Sequence, residues 1–144
     1  MSSKRLNRIL LVEDDPGDQE LTRRAVERHP SRAQLHVIGD GAQALDYMLR
    51  RGEHANVPAS DLVLLDLNLP GVPGKRVLEA AKRDSRIRHT PVVVLSTSAR
   101  EEDIRESYAL GCNSYVVKPL EAREFMAALH ELCTYWFEIT ALPD

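Results

Sequence analysis

Apolar runs recur along the chain, and each is followed by a stretch whose apolar residues return every three or four positions. The runs are Arg8-Ile9-Leu10-Leu11-Val12, Gln34 to Ile38, Leu62-Val63-Leu64-Leu65, Pro91-Val92-Val93-Val94-Leu95-Ser96 and Ser114-Tyr115-Val116-Val117. The third belongs to Leu62-Val63-Leu64-Leu65-Asp66-Leu67-Asn68-Leu69-Pro70-Gly71, which begins after Asp61 and delivers one carboxylate, Asp66, to the point where the run breaks. Its length and branching suit a strand buried on both faces, as in a parallel sheet covered by helices. Ligands of such sheets bind beyond the carboxyl ends of the strands, which makes Asp66 a candidate for chemistry. The plainer alternative is an aspartate that starts the turn before Pro70-Gly71.

The intervening stretches read as helices with local start and stop signals. Asp15 followed by Pro16 suits an N-cap with proline in the first turn, and Leu21, Ala25 and Val26 mark the inner face that follows. Asp40-Gly41 starts a helix with Ala44, Leu45, Met48 and Leu49 on one side, and Arg50 and Arg51 suit its C-terminal end. Residues 52–60, with His54, Asn56 and Pro58, form a polar loop of no readable role. A third helix after Gly74 turns Val77, Leu78 and Ala81 inward; a fourth covers Glu101 to Leu110 and ends at Gly111. The last starts near Glu121 and carries Phe125, Ala128, Leu129 and Leu132 on one stripe. Five strand-helix repeats imply an α/β domain with a parallel sheet, because right-handed crossovers put helices on both faces.

Composition narrows the functional classes. The 144 residues, 43% hydrophobic and 28% charged, suit one globular domain. A net charge of −3 with scattered Lys and Arg gives no broad positive field for a phosphate backbone, so nucleic acid is not an expected partner. Met1-Ser2-Ser3-Lys4-Arg5 leads into the first strand without a secretory signal, and no stretch approaches membrane-spanning length. The expected location is cytoplasmic. Cys112 and Cys133 match no metal or redox spacing and are expected buried and reduced. The five histidines show no paired ligand spacing and read as surface or packing residues.

The strand ends are more telling. They carry Glu13 and Asp14, then Asp66, then Ser96, then Lys118, and a parallel sheet puts all of them on one edge. Glu13-Asp14-Asp15-Pro16-Gly17-Asp18 crowds acids into one turn, and capping needs only Asp15. Two carboxylates about 4 Å apart at an effective dielectric near ~20 repel by roughly 4 kcal/mol, a cost that a bound cation removes. Oxygen ligands of this kind suit magnesium, held by Asp14 and Asp66 with Glu13 acting through water. Ser96 supplies a hydrogen-bond donor and Lys118 a point charge for an anion. Together they describe a phosphoryl group attached at Asp66, with Asp66 as nucleophile and the others positioning and neutralising it.

These residues resemble the receiver domain of two-component response regulators over Ile9 to about Leu132. The matching stretches are Leu11-Val12-Glu13-Asp14-Asp15, Leu64 to Gly71, Val94-Leu95-Ser96-Thr97 and Tyr115-Val116-Val117-Lys118-Pro119. The resemblance implies a flavodoxin-like, doubly wound (βα)5 sheet in the order 2-1-3-4-5. It also implies phosphorylation of Asp66 by a sensor histidine kinase and an Asn68 carbonyl on the metal. Ser96 would be the switch hydroxyl and Tyr115 the switch aromatic, with Thr97 restricting the inward rotation of Tyr115. Tyr115 is alternatively an ordinary strand aromatic. Lys118-Pro119 resembles the family's cis peptide. Asp66-Leu67-Asn68-Leu69-Pro70, Val94 to Ser98, the 52–60 loop and the tail from Tyr135-Trp136-Phe137 to Leu142-Pro143 are similar to the stand-alone receivers that serve phytochrome kinases.

The rival readings meet specific obstacles. A flavodoxin-like electron carrier needs a Gly-, Ser- or Thr-rich first loop where this chain has Glu13-Asp14-Asp15, and a phosphohydrolase needs a second acid where Asn68 stands. An inactive scaffold has no need of Asp66, Ser96 and Lys118 together. The expected protein is therefore not an enzyme beyond its own phosphorylation and dephosphorylation. Residues 1–134 form the receiver domain, and no output domain is expected. Residues 135–144 are an extension whose Tyr135, Trp136, Phe137, Ile139 and Leu142 suggest a homodimer interface with the fourth helix, fifth strand and fifth helix. The alternative is that Trp136 caps the domain's own core. Output is expected through a downstream protein or phosphotransfer partner.

Overall fold

Alternation along the strands divides the apolar residues between two cores. The structure, a computed structural model, describes residues 6–143, so the reading of Met1 to Arg5 as leaderless lies outside the described residues. The strands are β1 (Arg8–Val12), β2 (Gln34–Ile38), β3 (Leu62–Leu65), β4 (Val92–Ser96) and β5 (Ser114–Val117). They form one parallel sheet in the order β2-β1-β3-β4-β5. Leu10, Val12, Val63, Leu65, Val92 and Val94 face α2 (Gly41–Met48), α3 (Gly74–Arg83) and the end of α4 (Glu101–Leu110). Ile9, Leu11, Leu62, Leu64, Val93 and Leu95 face α1 (Pro16–Arg28) and α5 (Ala122–Thr134). This two-sided burial explains why β3 and β4 are wholly apolar inside, whereas the edge strands β2 and β5 are only half covered.

Local signals fall where capping chemistry puts them. Asp15 accepts the amide hydrogen of Asp18 at 2.8 Å and Asp40 that of Gln43 at 3.0 Å, so both are side-chain N-caps. Gly111 ends α4 with φ 108°, a left-handed conformation that suits glycine. Arg50 and Arg51 do not extend α2, which ends at Met48. The chain instead turns left-handed at Arg50, φ 52°, and the amides of Arg50 and Arg51 bond back to Tyr47 and Asp46. The 52–60 loop begins with a short turn, Gly52–His54, and it covers an aromatic stack. His36 lies flat on Tyr47 at 4.4 Å, and His54 meets Tyr47 edge-on at 5.3 Å.

The C-terminal extension continues α5 as one wide turn, Tyr135–Ile139. Trp136 and Phe137 fold back against the α1/α5 core, while Tyr135 and Ile139 remain exposed. The continuous exposed aromatic surface expected of this extension is thus halved, because burying two rings at home removes more apolar area from water. His29 ties the same region down: its Nδ1 accepts the Ser31 amide at 3.1 Å and its Nε2 lies 2.8 Å from the Thr134 hydroxyl. Both cysteines are buried and free, and burial pushes each thiol up to about 11.

The tightest backbone approach is at Gly74, the first residue of α3, where a Cβ would overlap the Asp66 carbonyl oxygen and Leu67 Cα. At Gly71, φ 71°, no neighbour lies near a Cβ. Gly74→Ala is therefore expected to destabilise the fold by about 1–3 kcal/mol or more through overpacking, and Gly71→Ala by about 1–2 kcal/mol through left-handed strain alone. Urea unfolding of the two variants checks the order.

Candidate functional site

Parallel strands of matched register bring four chain segments to one rim. Val12 pairs with Leu65, Leu65 with Val94, and Ser96 with Val117. The residues that follow, Glu13 and Asp14, Asp66, and Lys118, therefore emerge together past the carboxyl ends of β1, β3 and β5, beside Ser96 at the end of β4. Backbone bonds extend the ladder beyond the strands: the Asp66 amide donates to the Val12 carbonyl at 2.9 Å, and the Lys118 amide to the Ser96 carbonyl at 2.7 Å. Side-chain alternation then separates two neighbours. Glu13 turns inward and is 2% exposed, whereas Asp14 faces solvent.

Carboxylate oxygens of Glu13, Asp14 and Asp66 lie within 4.8 Å of one another. The Lys118 ammonium partly offsets this charge, but its nearest partners are not Asp66. Its Nζ donates to Glu13 Oε2 at 2.5 Å and to Asp18 Oδ2 at 2.9 Å, while Asp66 Oδ2 stands 3.7 Å away. Burial raises the Glu13 carboxyl from 4.5 to about 7, against the opposing hydrogen bonds from Lys118 and the Asp15 amide. Burial also disfavours the Lys118 charge, yet hydrogen bonds to Glu13 and Asp18 and the fields of Glu13 and Asp66 win, and Lys118 titrates above its ordinary range. The ammonium is thus a permanent charge in the site. Oxygen donors alone, three of them carboxylates, form a set suited to a hard divalent cation.

Ser96 is fully buried, and its hydroxyl oxygen accepts the Ser98 amide hydrogen at 3.1 Å. The exposed Asn68 donates its amide to Asp66 Oδ1 at 3.3 Å, so its backbone closes the turn beside the carboxylate. Tyr115 is half-buried against the α2/α3 core, and its hydroxyl donates to the Ser98 carbonyl at 2.8 Å. Thr97, between Ser98 and the buried Ser96, is exposed. The same loop is tied further: Ser98 donates to Asp103 at 2.6 Å, and Lys75 pairs with Asp103 at 2.8 Å and Glu106 at 3.1 Å. Lys118-Pro119 is trans, and no cis peptide occurs among the described residues. This corrects the expected cis bond; trans is the lower-energy isomer of an X-Pro bond by about 0.5–1 kcal/mol.

Glu13, Asp14, Asp66, Asn68, Ser96 and Lys118 stand at the carboxyl ends of the strands, whereas Tyr115 sits within β5 and reaches only the loop after β4 through its hydroxyl. Two further features belong to the site. In the sequence Asp18 is only one of several crowded acids, although an acid at the third residue of a helix capped by Asp15 must lie near the strand ends. The Lys75–Asp103–Ser98 tie joins α3, α4 and the loop after β4, and no local pattern announces a bridge across 28 residues.

Comparison with known proteins agrees with the geometry. Residues 9–130 match the family model described as the response regulator receiver domain. Response regulator Rcp1 of Synechocystis is 35% identical over 135 residues, covering 94% of this chain and 92% of Rcp1. The solved structure of the phosphorylated cyanobacterial phytochrome response regulator RcpA superposes with a TM-score of 0.94 at 36% identity, covering 97% of this chain and 100% of that one. The Mn(2+)-bound form of Rcp1 gives 0.92 at 34% identity, covering 96% and 99%. With four strand ends converging on an acidic rim and a buried lysine, and a family match spanning nearly the whole chain, the protein belongs to the receiver-domain response regulators.

Proposed function

We propose that this protein is a single-domain response regulator that accepts a phosphoryl group on Asp66 from a sensor histidine kinase, a bacteriophytochrome, in a phosphorelay. The observation that carries the reading is the meeting of Asp66, two further carboxylates and a buried lysine at one strand edge. The likeness to phytochrome response regulators supports the choice of kinase. An Asp66 carboxylate oxygen bonds to phosphorus while the P–N bond of the donor phosphohistidine breaks. The electron pair stays on the imidazole nitrogen, which takes a proton from solvent. Ser96 and Lys118 hold the phosphoryl oxygens, and Tyr115 with Ser96 carries the switch.

Asp14, Asp66 and the Asn68 carbonyl would hold magnesium, with Glu13 acting through water. When bound, the ion supplies positive charge that neutralises the phosphoryl oxygens. Signalling then passes through protein contacts to a downstream protein or phosphotransfer partner in the cytoplasm. No helix among the described residues is long and apolar enough to cross a membrane. The protein acts as a homodimer through α4, β5 and α5, where Tyr108, Val117 and Leu120 are exposed, Leu120 at 98%. In the extension, Tyr135 and Ile139 are the residues free to extend this face.

Incubation with acetyl phosphate and magnesium should add the mass of one phosphoryl group to the wild type and none to Asp66→Asn; a gain retained by that variant removes Asp66 from its role. Magnesium should raise the melting temperature of wild type more than that of Asp14→Ala, since a ligand bound only to the folded state stabilises it. Because the folded protein holds the Glu13 proton up to about pH 7 and the unfolded chain releases it near 4.5, stability should fall as pH rises through that window. Glu13→Gln should flatten the slope, and wild-type magnesium affinity should rise over the same interval as the proton leaves. Leu120→Ser combined with Tyr108→Ser should sediment as monomer where the wild type sediments as dimer; unchanged sedimentation discards this face.

A further inference from the structure

We infer that Asp18 is a positioning residue that holds the Lys118 ammonium back from Asp66 until an incoming phosphoryl group takes its place, an inference that rests on Asp66 being the phosphorylated residue. An ammonium has three hydrogens to donate. Two are committed, to Glu13 at 2.5 Å and to Asp18 at 2.9 Å, and the distance of 3.7 Å to Asp66 lies beyond hydrogen-bond range. Lys118 is thus parked beside the nucleophile.

The two partners differ in how readily they let go. Glu13 is buried at 2% exposure, so losing the lysine would leave its carboxyl oxygen Oε2 without a hydrogen-bond donor and away from water. The Asp18 side chain is 27% exposed and sits at the third residue of α1, where water and the positive helix end stabilise it alone. Its backbone is pinned on both sides, with the amide donating to Asp15 at 2.8 Å and the carbonyl accepting the buried Thr22 hydroxyl at 2.8 Å. Asp18 is therefore a fixed carboxylate and the releasable ligand of Lys118. Phosphoryl oxygens arriving on Asp66 carry more charge and draw the ammonium across.

Asp18 also adds a negative charge facing every anionic phosphoryl donor. Removing it while keeping the side chain's shape should free the lysine and ease entry of the donor. Acetyl phosphate is the probe: the Asp66 carboxylate oxygen bonds to phosphorus, the acetyl oxygen–phosphorus bond breaks, and acetate leaves with the electron pair. Initial rates of mass gain are measured with the full chain and magnesium across acetyl phosphate concentrations. Asp18→Asn should lower the half-saturating concentration by about fivefold or more, the effect of one unit charge near 4 Å in a water-like medium. The limiting rate should change less, and the difference from wild type should shrink as salt is raised. Asp18→Glu, which keeps the charge, should stay close to wild type. Should Asp18→Asn fold poorly by circular dichroism, Asp18→Ser carries the same expectation. A half-saturating concentration equal to that of wild type in the charge-removing variant overturns the inference, as does a difference indifferent to salt. Absence of mass gain in wild type, or its persistence in Asp66→Asn, overturns the phosphorylation reading itself and this inference with it, and both are seen before any Asp18 variant is compared.

Discussion

The Lys118 ammonium at the carboxyl edge of the sheet is the contact on which the site depends. It emerges from β5 at one side of the sheet and reaches Glu13 after β1, two strands beyond its neighbour β4. That span is possible only if β1, β3, β4 and β5 end level with one another, which the parallel register ensures. Breaking such a buried pair by removing one partner typically costs about 3–5 kcal/mol, because the remaining charge is stranded. The pair offsets only part of the local repulsion. Three carboxylates within 4.8 Å face one ammonium, and the surplus negative charge is what a divalent cation would neutralise.

Stability has to come from elsewhere, and the two cores supply it. Leu64 and Val93 on one face, Leu65 and Val94 on the other, are almost wholly removed from water. Fully burying a side chain of this kind contributes about 1.5–3 kcal/mol. The central strands therefore hold the frame rigid while the rim carries unbalanced charge. Gly74 belongs to the same economy of space: its missing side chain lets α3 begin against the Asp66 carbonyl and the Leu67 backbone.

From this rim a continuous set of bonds leads toward the outer face of α4. Ser96 accepts from the Ser98 amide, the Ser98 carbonyl holds the Tyr115 hydroxyl, and the Ser98 hydroxyl holds Asp103. Lys75 then joins Asp103 and Glu106 to α3, and its ammonium lowers the Asp103 carboxyl below its ordinary range. The Tyr115 amide donates to the Tyr108 hydroxyl at 3.2 Å, which links β5 to an exposed residue of α4. A change in charge at Asp66 that moved the loop after β4 would have to rearrange these bonds, so the rim and the exposed α4–β5–α5 face share a mechanical connection.

Local chemistry in the sequence was enough for the parts of this protein that depend on near neighbours. Apolar runs of strand length, Asp15 and Asp40 at helix starts, Gly111 at a helix end and acids at strand ends each act through a few adjacent residues, and the parallel α/β plan follows from their repetition. The motif resemblance added the strand order, which the sheet has, and the roles proposed for Asn68, Ser96 and Tyr115. Only tertiary structure decided where side chains with several possible partners settle. Lys118 chose Glu13 and Asp18 over Asp66, because a long flexible stem finds whichever carboxylates the fold places nearest. Trp136 and Phe137 turned to the α1/α5 core, since the gain in buried area is known only once that core exists. The trans bond before Pro119 is a choice between isomers only about 0.5–1 kcal/mol apart, and the left-handed turn at Arg50 costs about 1–2 kcal/mol locally; both are decided by packing that no stretch of sequence contains.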